Sequence, residues 1–492
     1  MAEPQRWDSR DLLSGCMAAV ASLSSDWRRW LMSGAPESAL RVEGSREAQE
    51  ARTARKHFQA AVSAHPTWPL AHAFLGILCQ HWPPQDLECA RRHLEQAVAL
   101  QPTSQPGALA LAVLEMEQAP GLHSCSGRCD AEQHLMLERA AEMVERNRHR
   151  QRALQLLRTT LALAPSNAEA HLALGVQLEG SAEAIDHLQR VIRLAPNSRT
   201  MVSHVIGEMR YFGRGRDAEA ILADAAAAGL WKVPFQRTSI FWPSLPVAVY
   251  PSILQLQRAK AVFESHWNAV RPELLDLWQR RKLVFFPSYA PCSAGSICRE
   301  YGVLILPARY RYAGSWEEGH VYSGESMGST WQAASWQAAS CTRHAPVTCN
   351  ALREFASASG LHVLRSSVSV VHGPVTRIPR HNSVVQGLLR FHCPVRIPAG
   401  ARSLLRFGSN DSIIHKESEC FWFDETVEHE LIYNSGGGER VLFMVDVMHP
   451  GIPEAGIPEV DLGPFSPSYW LETYMKPVLT NLTWANGIVT EL

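Results

Sequence analysis

Two histidines and one arginine near the C-terminus, His381, His429 and Arg440, are the residues of this 492-residue chain best suited to do chemistry. They stand in a stretch that reads as one short strand after another. Two histidines far apart in sequence can meet across a rolled-up sheet and hold a metal on neutral imidazole nitrogens. Arg440 follows His429 by eleven residues. One strand over, its guanidinium could anchor a carboxylate. Two imidazoles with an arginine beside them form the skeleton of an iron(II) site that takes a dicarboxylate cosubstrate.

Strand alternation adds residues to this set. In GLLRFHCPV, Arg390 and His392 point one way, and Leu389, Phe391 and Cys393 the other. In ERVLFMVDV, Arg440 shares its face with Leu442, Met444 and Asp446, while Val441, Phe443, Val445 and Val447 form an apolar row. Ser367 and Ser369 share a face opposite Val368 and Val370. An inward arginine and histidine are costly unless an anion or a polar cavity meets them. A hydroxyl, two guanidiniums and an imidazole converging in one barrel suit a dicarboxylate. A lone buried histidine is more often a satisfied core residue, but five such residues at these spacings outweigh that reading.

The elements that position these residues change character along the chain. From about 362 the pattern has period two, with at least five short strands and no helix between them, as in a sandwich or jelly roll. The N-terminal half has helical period and repeats itself. HFQAAVSAHP (57–66), HLEQAVALQP (93–102), LLRTTLALAP (156–165) and HLQRVIRLAP (187–196) are amphipathic helix ends closed by proline. Pro66 to Pro102 spans 36 residues and Pro165 to Pro196 spans 31. AHAFLGIL and AHLALGVQL supply small residues where helices cross closely. Such pairs of about 34 residues resemble the tetratricopeptide repeat, which must stack because one pair cannot bury its own apolar face. Three or four pairs are expected between about 45 and 230. Such arrays usually bind peptides or proteins in a groove, or serve only as spacers. Residues 231–290 read as a proline-rich junction followed by one amphipathic helix from about 253 to 281. A direct WQAAS duplication occupies 331–340.

Composition narrows the function classes. A formal charge of −1 gives no basic surface for nucleic acid. No apolar run reaches 18 residues, so no transmembrane helix is expected. Leu12–Leu23 lacks a basic flank and makes a poor signal peptide. Eleven cysteines, an odd number spread over a long chain, argue against a disulfide scaffold. Cys125 and Cys129 beside His123 lack the second half that a zinc site needs. Cys341 and Cys349 are close enough to pair in an oxidising compartment. The cytoplasm is expected over the secretory lumen, and such a disulfide would point to the lumen. Oligomeric state stays open.

Six ordered segments carry a family resemblance: SHWNAVRPELLDLWQ, WQAAS with PVTC (331–349), SVVHGPVTRIPRHN, GLLRFHCPVRIP, FDETVEHELIYN and RVLFMVDVMHP. Over roughly 253–452 the chain resembles the aspartyl/asparaginyl β-hydroxylases, iron- and 2-oxoglutarate-dependent oxygenases, some of which also carry tetratricopeptide repeats ahead of the oxygenase domain. The resemblance implies an α+β multidomain chain, an all-α tetratricopeptide-like solenoid followed by a double-stranded β-helix (jelly-roll) oxygenase domain. The expected divisions are 1–44 (a helical or flexible segment), 45–230 (repeats), 231–290 (junction and linking helix) and 291–492 (oxygenase domain). The resemblance further implies that His381 and His429 are the Fe(II) ligands. Ser369 and Arg440 would hold the distal carboxylate of 2-oxoglutarate, and Arg390 and His392 the carboxylate next to its keto group. With O2, such a site would hydroxylate the β-carbon of Asp or Asn side chains in a protein presented by the repeats. Two other readings remain: an impaired oxygenase acting as an interaction module, and an oxygenase on a lipid or small molecule.

The chain also departs from the family. The acidic ligand that many 2-oxoglutarate oxygenases place two residues after the first histidine is Ser383 here, leaving two histidines and water. One extra residue falls between Ser369 and His381, and another between His429 and Arg440. Turn insertions at Gly373 and Gly436–Gly438 would absorb them. Asp424 and Glu425 read as a strand-end turn, and His449 as structural.

Overall fold

The computed structural model describes residues 15, 16, 18, 46–81, 86–118, 132–178, 180–283, 285–287, 298–300, 303–305, 313–323, 340–383, 385–452, 459–461, 470–475, 482–485 and 488–491. The His123, Cys125 and Cys129 cluster and the duplicated stretch up to residue 339 lie outside them, as does most of 1–44.

Helices α1 (Arg46–Ala64), α2 (Pro69–His81), α3 (Leu87–Leu100), α4 (Gln105–Gln118), α5 (Glu132–Leu163), α6 (Ala168–Gln177), α7 (Ala182–Leu194), α8 (Arg199–Tyr211) and α9 (Gly215–Ala227) form the repeat array. Their starts are written in the sequence. Asp86, Asn167, Ser181 and Ser198 cap α3, α6, α7 and α8, each accepting from an amide three residues on. The small residues do what their spacing predicts. A Cβ on Gly76 would lie 2.6 Å from Leu94, and one on Gly175 would lie 2.9 Å from Leu188, so α2–α3 and α6–α7 pack backbone against side chain. The same two pairs are joined by histidines. His72 and His93 meet through Nδ1 at 3.0 Å, and His171 and His187 at 2.7 Å. Trp470, Tyr474 and Met475 from the C-terminal stretch also enter the solenoid core.

The segment read as one linking helix is two. α10 (Leu254–Ser265) and α11 (Trp267–Gln279) are separated at His266. The break lets both neighbouring aromatics reach the sheet side: Phe263 stacks on Phe443 at 5.5 Å, and Trp267 donates to Ser418 Oγ at 2.8 Å. α12 (Pro346–Ser359) packs beside them.

The strands among the described residues are β1 (Ile240–Phe241), β2 (Phe285–Pro287), β3 (Cys298–Glu300), β4 (Val303–Ile305), β5 (Ala313–Ser323), β6 (Val363–His381), β7 (Leu388–Arg396), β8 (Arg402–Phe407), β9 (Ser412–Ile414), β10 (Phe421–Asp424), β11 (His429–Asn434), β12 (Arg440–Met448), β13 (Glu459–Val460), β14 (Leu482–Ala485) and β15 (Ile488–Glu491). Nine form one sheet in the order β10-β7-β12-β6-β11-β8-β9, with β5 on β6 and β2 on β5. All of its pairings are antiparallel. The chain is therefore α+β: a helical repeat array followed by a curled antiparallel sheet. One face of the sheet, with Val368, Val370, Phe391, Phe443 and Val445, packs on α10–α12. The other carries the polar residues predicted from alternation.

β6 is the spine. Its first half (363–371) pairs with β12 and its second half (375–381) with β11, while β5 covers the opposite edge. β11 and β12 thus run end to end along β6. The expectation that Arg440 lies one strand over from His429 is corrected accordingly. The irregularities between them face each other. A Cβ on Gly373 would lie 2.3 Å from Ser435 Oγ, and Ser435 N donates to Pro374 O at 2.8 Å. The extra residues at Gly373 and 436–438 form one paired bend.

Candidate metal and dicarboxylate site

His381 ends β6, His429 opens β11, and the two are register partners with ring centroids 4.3 Å apart. Each ring is oriented the same way. His381 Nδ1 lies 2.8 Å from Pro379 O, and His429 Nδ1 lies 2.8 Å from Val427 O. A carbonyl only accepts, so both Nδ1 atoms carry the proton and both Nε2 lone pairs are open. Burial, with Arg390 and Arg237 nearby, pushes the His381 imidazole down to about 4. Burial and the facing His381 hold His429 well below its ordinary value. Both rings are neutral at neutral pH, the form that binds a metal.

Glu425 follows β10 and turns its side chain toward the pair. Its Oε2 lies 3.7 Å from His429 Nε2, and donor atoms of His381, Glu425 and His429 all fall within 4.8 Å of one another. Its Oε1 meets Arg390 Nη1 at 2.5 Å. The turn reading holds for Asp424, whose Oδ1 accepts from Thr426 N at 2.9 Å. Glu425 stands in the same turn, and its side chain also reaches Arg390 and the histidine pair. The backbone explains how Glu425 arrives here: Ser383 N donates to Glu425 O at 2.8 Å. A carboxylate four residues before a histidine looks local in sequence, and only the contact between strand ends brings Glu425 to the histidine pair.

Arg390 directs three nitrogens at carboxylates. Nε and Nη2 reach Asp446 at 2.6 and 2.9 Å, and Nη1 reaches Glu425. Burial alone would depress this guanidinium, but Asp446 and Glu425 hold it above its ordinary value. Arg365 also pairs with Asp446 Oδ2 at 2.5 Å. Burial would raise Asp446, yet the two arginines hold it well below the usual carboxylate range.

Ser369 and Arg440 come together as expected from their shared face. Arg440 Nη2 donates to Ser369 Oγ at 3.2 Å, and Trp316 Nε1 donates to the same hydroxyl at 2.7 Å. Arg440 is 3% exposed. It has no ion pair among the described residues, and its Nε finds no acceptor. Burial pushes its guanidinium down to about 10. A buried cation without its anion is costly, and a dicarboxylate would relieve that cost. His392 packs edge-on against Phe423 at 4.8 Å, with Nδ1 3.4 Å from His415 Nε2. His415 in turn meets Ser403 Oγ at 2.8 Å. Burial first, then His415, Arg390, Arg440 and His429, hold His392 well below its ordinary value. Its Nε2 is buried and unpartnered. The six predicted residues therefore gather on one side of one sheet, with Glu425, His415, Asp446 and Trp316 added to them.

Donor set, tautomers and an uncompensated arginine agree with the sequence itself. The chain carries an aspartyl/asparaginyl β-hydroxylase domain, matched over residues 264–450. The match covers both histidines, Arg440 and every residue placed around them except Arg237 of the junction. No curated protein matches the chain. Among solved structures, MamA aligns at 16% identity and TM-score 0.27, covering 37% of this chain and 91% of that one. A thermophilic tetratricopeptide repeat protein of Thermus thermophilus aligns at 18% identity and TM-score 0.27, covering 37% and 84%. A Pseudomonas putida prolyl-4-hydroxylase aligns at 9% identity and TM-score 0.24, covering 39% and 100%.

The hydroxylase domain is bound to the last repeat helices beside both His381 and His429. Glu428, next to His429, accepts from Arg210 of α8 (2.8 Å at Oε2) and from Arg237 Nε. Arg380, next to His381, reaches Glu219 of α9 at 3.0 Å, and Glu219 also meets Arg210 at 2.9 Å. No helix among the described residues is long and apolar enough to cross a membrane.

Proposed function

We propose that this hydroxylase-type oxygenase is an Fe(II)- and 2-oxoglutarate-dependent dioxygenase that hydroxylates the β-carbon of Asp or Asn side chains in a protein substrate. The observation that carries this reading is the pairing of two open imidazole nitrogens, His381 and His429 Nε2, with the uncompensated Arg440–Ser369 pair on one sheet face. Neutral imidazoles with a carboxylate nearby suit Fe(II). When bound, the metal with O2 and 2-oxoglutarate supplies the oxidation, and the cosubstrate leaves as succinate and CO2.

The chain's own residues bind and orient. Arg440 and Ser369 hold the distal carboxylate of 2-oxoglutarate, with Trp316 fixing the serine hydroxyl. His392 stands near the histidine pair for the carboxylate next to the keto group, and Arg390, its nitrogens taken by Asp446 and Glu425, acts on that carboxylate through its charge alone. The aromatic wall of Phe407, Phe421 and Phe423 against His392 and His429 keeps water from the pocket. The curled sheet is read as a double-stranded β-helix. The repeats assist substrate binding, and their salt links to Arg380 and Glu428 favour a protein substrate held over the site.

Cys79–Cys89, Cys341–Cys349 and Cys393–Cys420 are paired. These disulfides favour an oxidising compartment such as the secretory lumen over the cytoplasm expected from sequence. The activity is tested by incubating the protein with Fe(II), ascorbate, 2-oxoglutarate and an Asp- and Asn-containing peptide library. A gain of one oxygen on an Asp or Asn residue, lost without 2-oxoglutarate, is expected. Succinate formed with oxygen found on a lipid or small molecule instead would reassign the substrate.

A further inference from the structure

We infer that Glu425 is the third protein ligand of the metal, and that Arg390 with Asp446 holds it in place. The inference rests on the metal-site reading above and supplies the carboxylate that Ser383 lacks. Glu425 is 5% exposed, and its Oε2 has no hydrogen-bond partner among the described residues. A buried carboxylate oxygen left open is expensive, and a cation is the partner that removes the cost. The open atom lies 3.7 Å from His429 Nε2, and donor atoms of His381, Glu425 and His429 all lie within 4.8 Å of one another.

The backbone carries Glu425 to the place where the usual carboxylate would stand. The Ser383 amide donates to the Glu425 carbonyl, so the residue two positions after His381 is bonded to the one four positions before His429. A carboxylate absent from one strand end is thus present on its neighbour. The other oxygen is fixed: Oε1 meets Arg390 Nη1, and Arg390 is itself held at Nε and Nη2 by Asp446. Arg365 closes the group from the other side of Asp446. Counting Glu425 itself, two arginines and two carboxylates make the group formally neutral. This is the arrangement by which outer-sphere partners orient a ligand. With Glu425 the donors would become two histidines and one carboxylate, a donor set that suits Fe(II).

The test uses the full chain and Co(II), whose affinity and visible spectrum report the ligands without turnover. Wild type is expected to bind one Co(II). Glu425→Gln is expected to weaken binding by about 100-fold or more and to shift the Co(II) bands. Arg390→Gln is expected to weaken it by about 10–100-fold, the range for loss of an orienting partner. Glu425→Asp keeps the charge but shortens the reach, so it is expected to fall between wild type and Glu425→Gln. It also serves if Glu425→Gln fails to fold by circular dichroism. Wild-type affinity and spectrum in the folded Glu425 variants, with binding lost in His429→Ala, would overturn this proposal and leave the metal site standing. Undiminished binding by His429→Ala would overturn the metal-site reading itself.

Discussion

Arg440 shows what a single residue can reveal. Its charge is buried, it donates to a serine, and it has no ion pair among the described residues, which leaves room for an anion from outside. Arg440→Ala is expected to weaken 2-oxoglutarate binding by roughly 10–100-fold, the worth of a charge-assisted bond of about 1.5–3 kcal/mol. Calorimetry on the Co(II)-loaded protein checks this, and unchanged affinity would remove Arg440 from the pocket. Trp316→Phe keeps the ring but frees the Ser369 hydroxyl, so a smaller loss in the same titration is expected. Ser369, Arg390, His392 and Arg440 were legible because strand alternation reports which face a side chain takes. Glu425 and His415 were not. Each reaches the site from a turn or a short edge strand, where alternation carries no information.

At the scale of elements, a buried carboxylate ties the repeats to the hydroxylase domain. Glu428 is 0% exposed and takes both Arg210 and Arg237, whereas Glu219 in the same network is half exposed. Burial separates their contributions. Glu428→Ala takes the buried carboxylate from Arg237 and leaves Arg210 only the half-exposed Glu219, and should cost about 3–5 kcal/mol. Glu219→Ala should cost no more than about 1 kcal/mol. Urea unfolding of the two variants checks the order, and equal losses would contradict it. The helix pairs were readable from their exit prolines, caps and glycines, because those features are local. The end-to-end course of β11 and β12 along β6 was not, since strand order depends on long-range pairing that period-two patterning cannot express. The break at His266 was also hidden, because Phe263 and Trp267 bend the helix toward the sheet.

The whole molecule should be sensitive to acid. Burial holds His93 and His204 down to about 4, and lowers His171 and His187 as well. An unfolded histidine titrates near 6.5. Between about 6.5 and 4 the unfolded chain therefore takes up protons that the fold refuses, so stability falls as pH falls through that window. Asp424, pushed up to about 6 by burial, and Glu425, pushed up to about 8 chiefly by burial, work in the opposite direction, but they are two groups against these four. The urea midpoint should be lower at pH 5 than at pH 7, and a higher one would contradict the account. The disulfides act at the same scale. Each should contribute about 2–4 kcal/mol, so reduction should lower the melting temperature. Cys79, Cys89, Cys341, Cys349, Cys393 and Cys420 should resist alkylation until reduced, as mass spectrometry can show.

The central claim is that His381 and His429 hold a metal that consumes 2-oxoglutarate. Succinate release tests it most directly, measured with Fe(II), ascorbate and 2-oxoglutarate on wild type and on His429→Ala. The account predicts succinate from wild type and a background rate from the folded variant. Equal succinate from both proteins would contradict it.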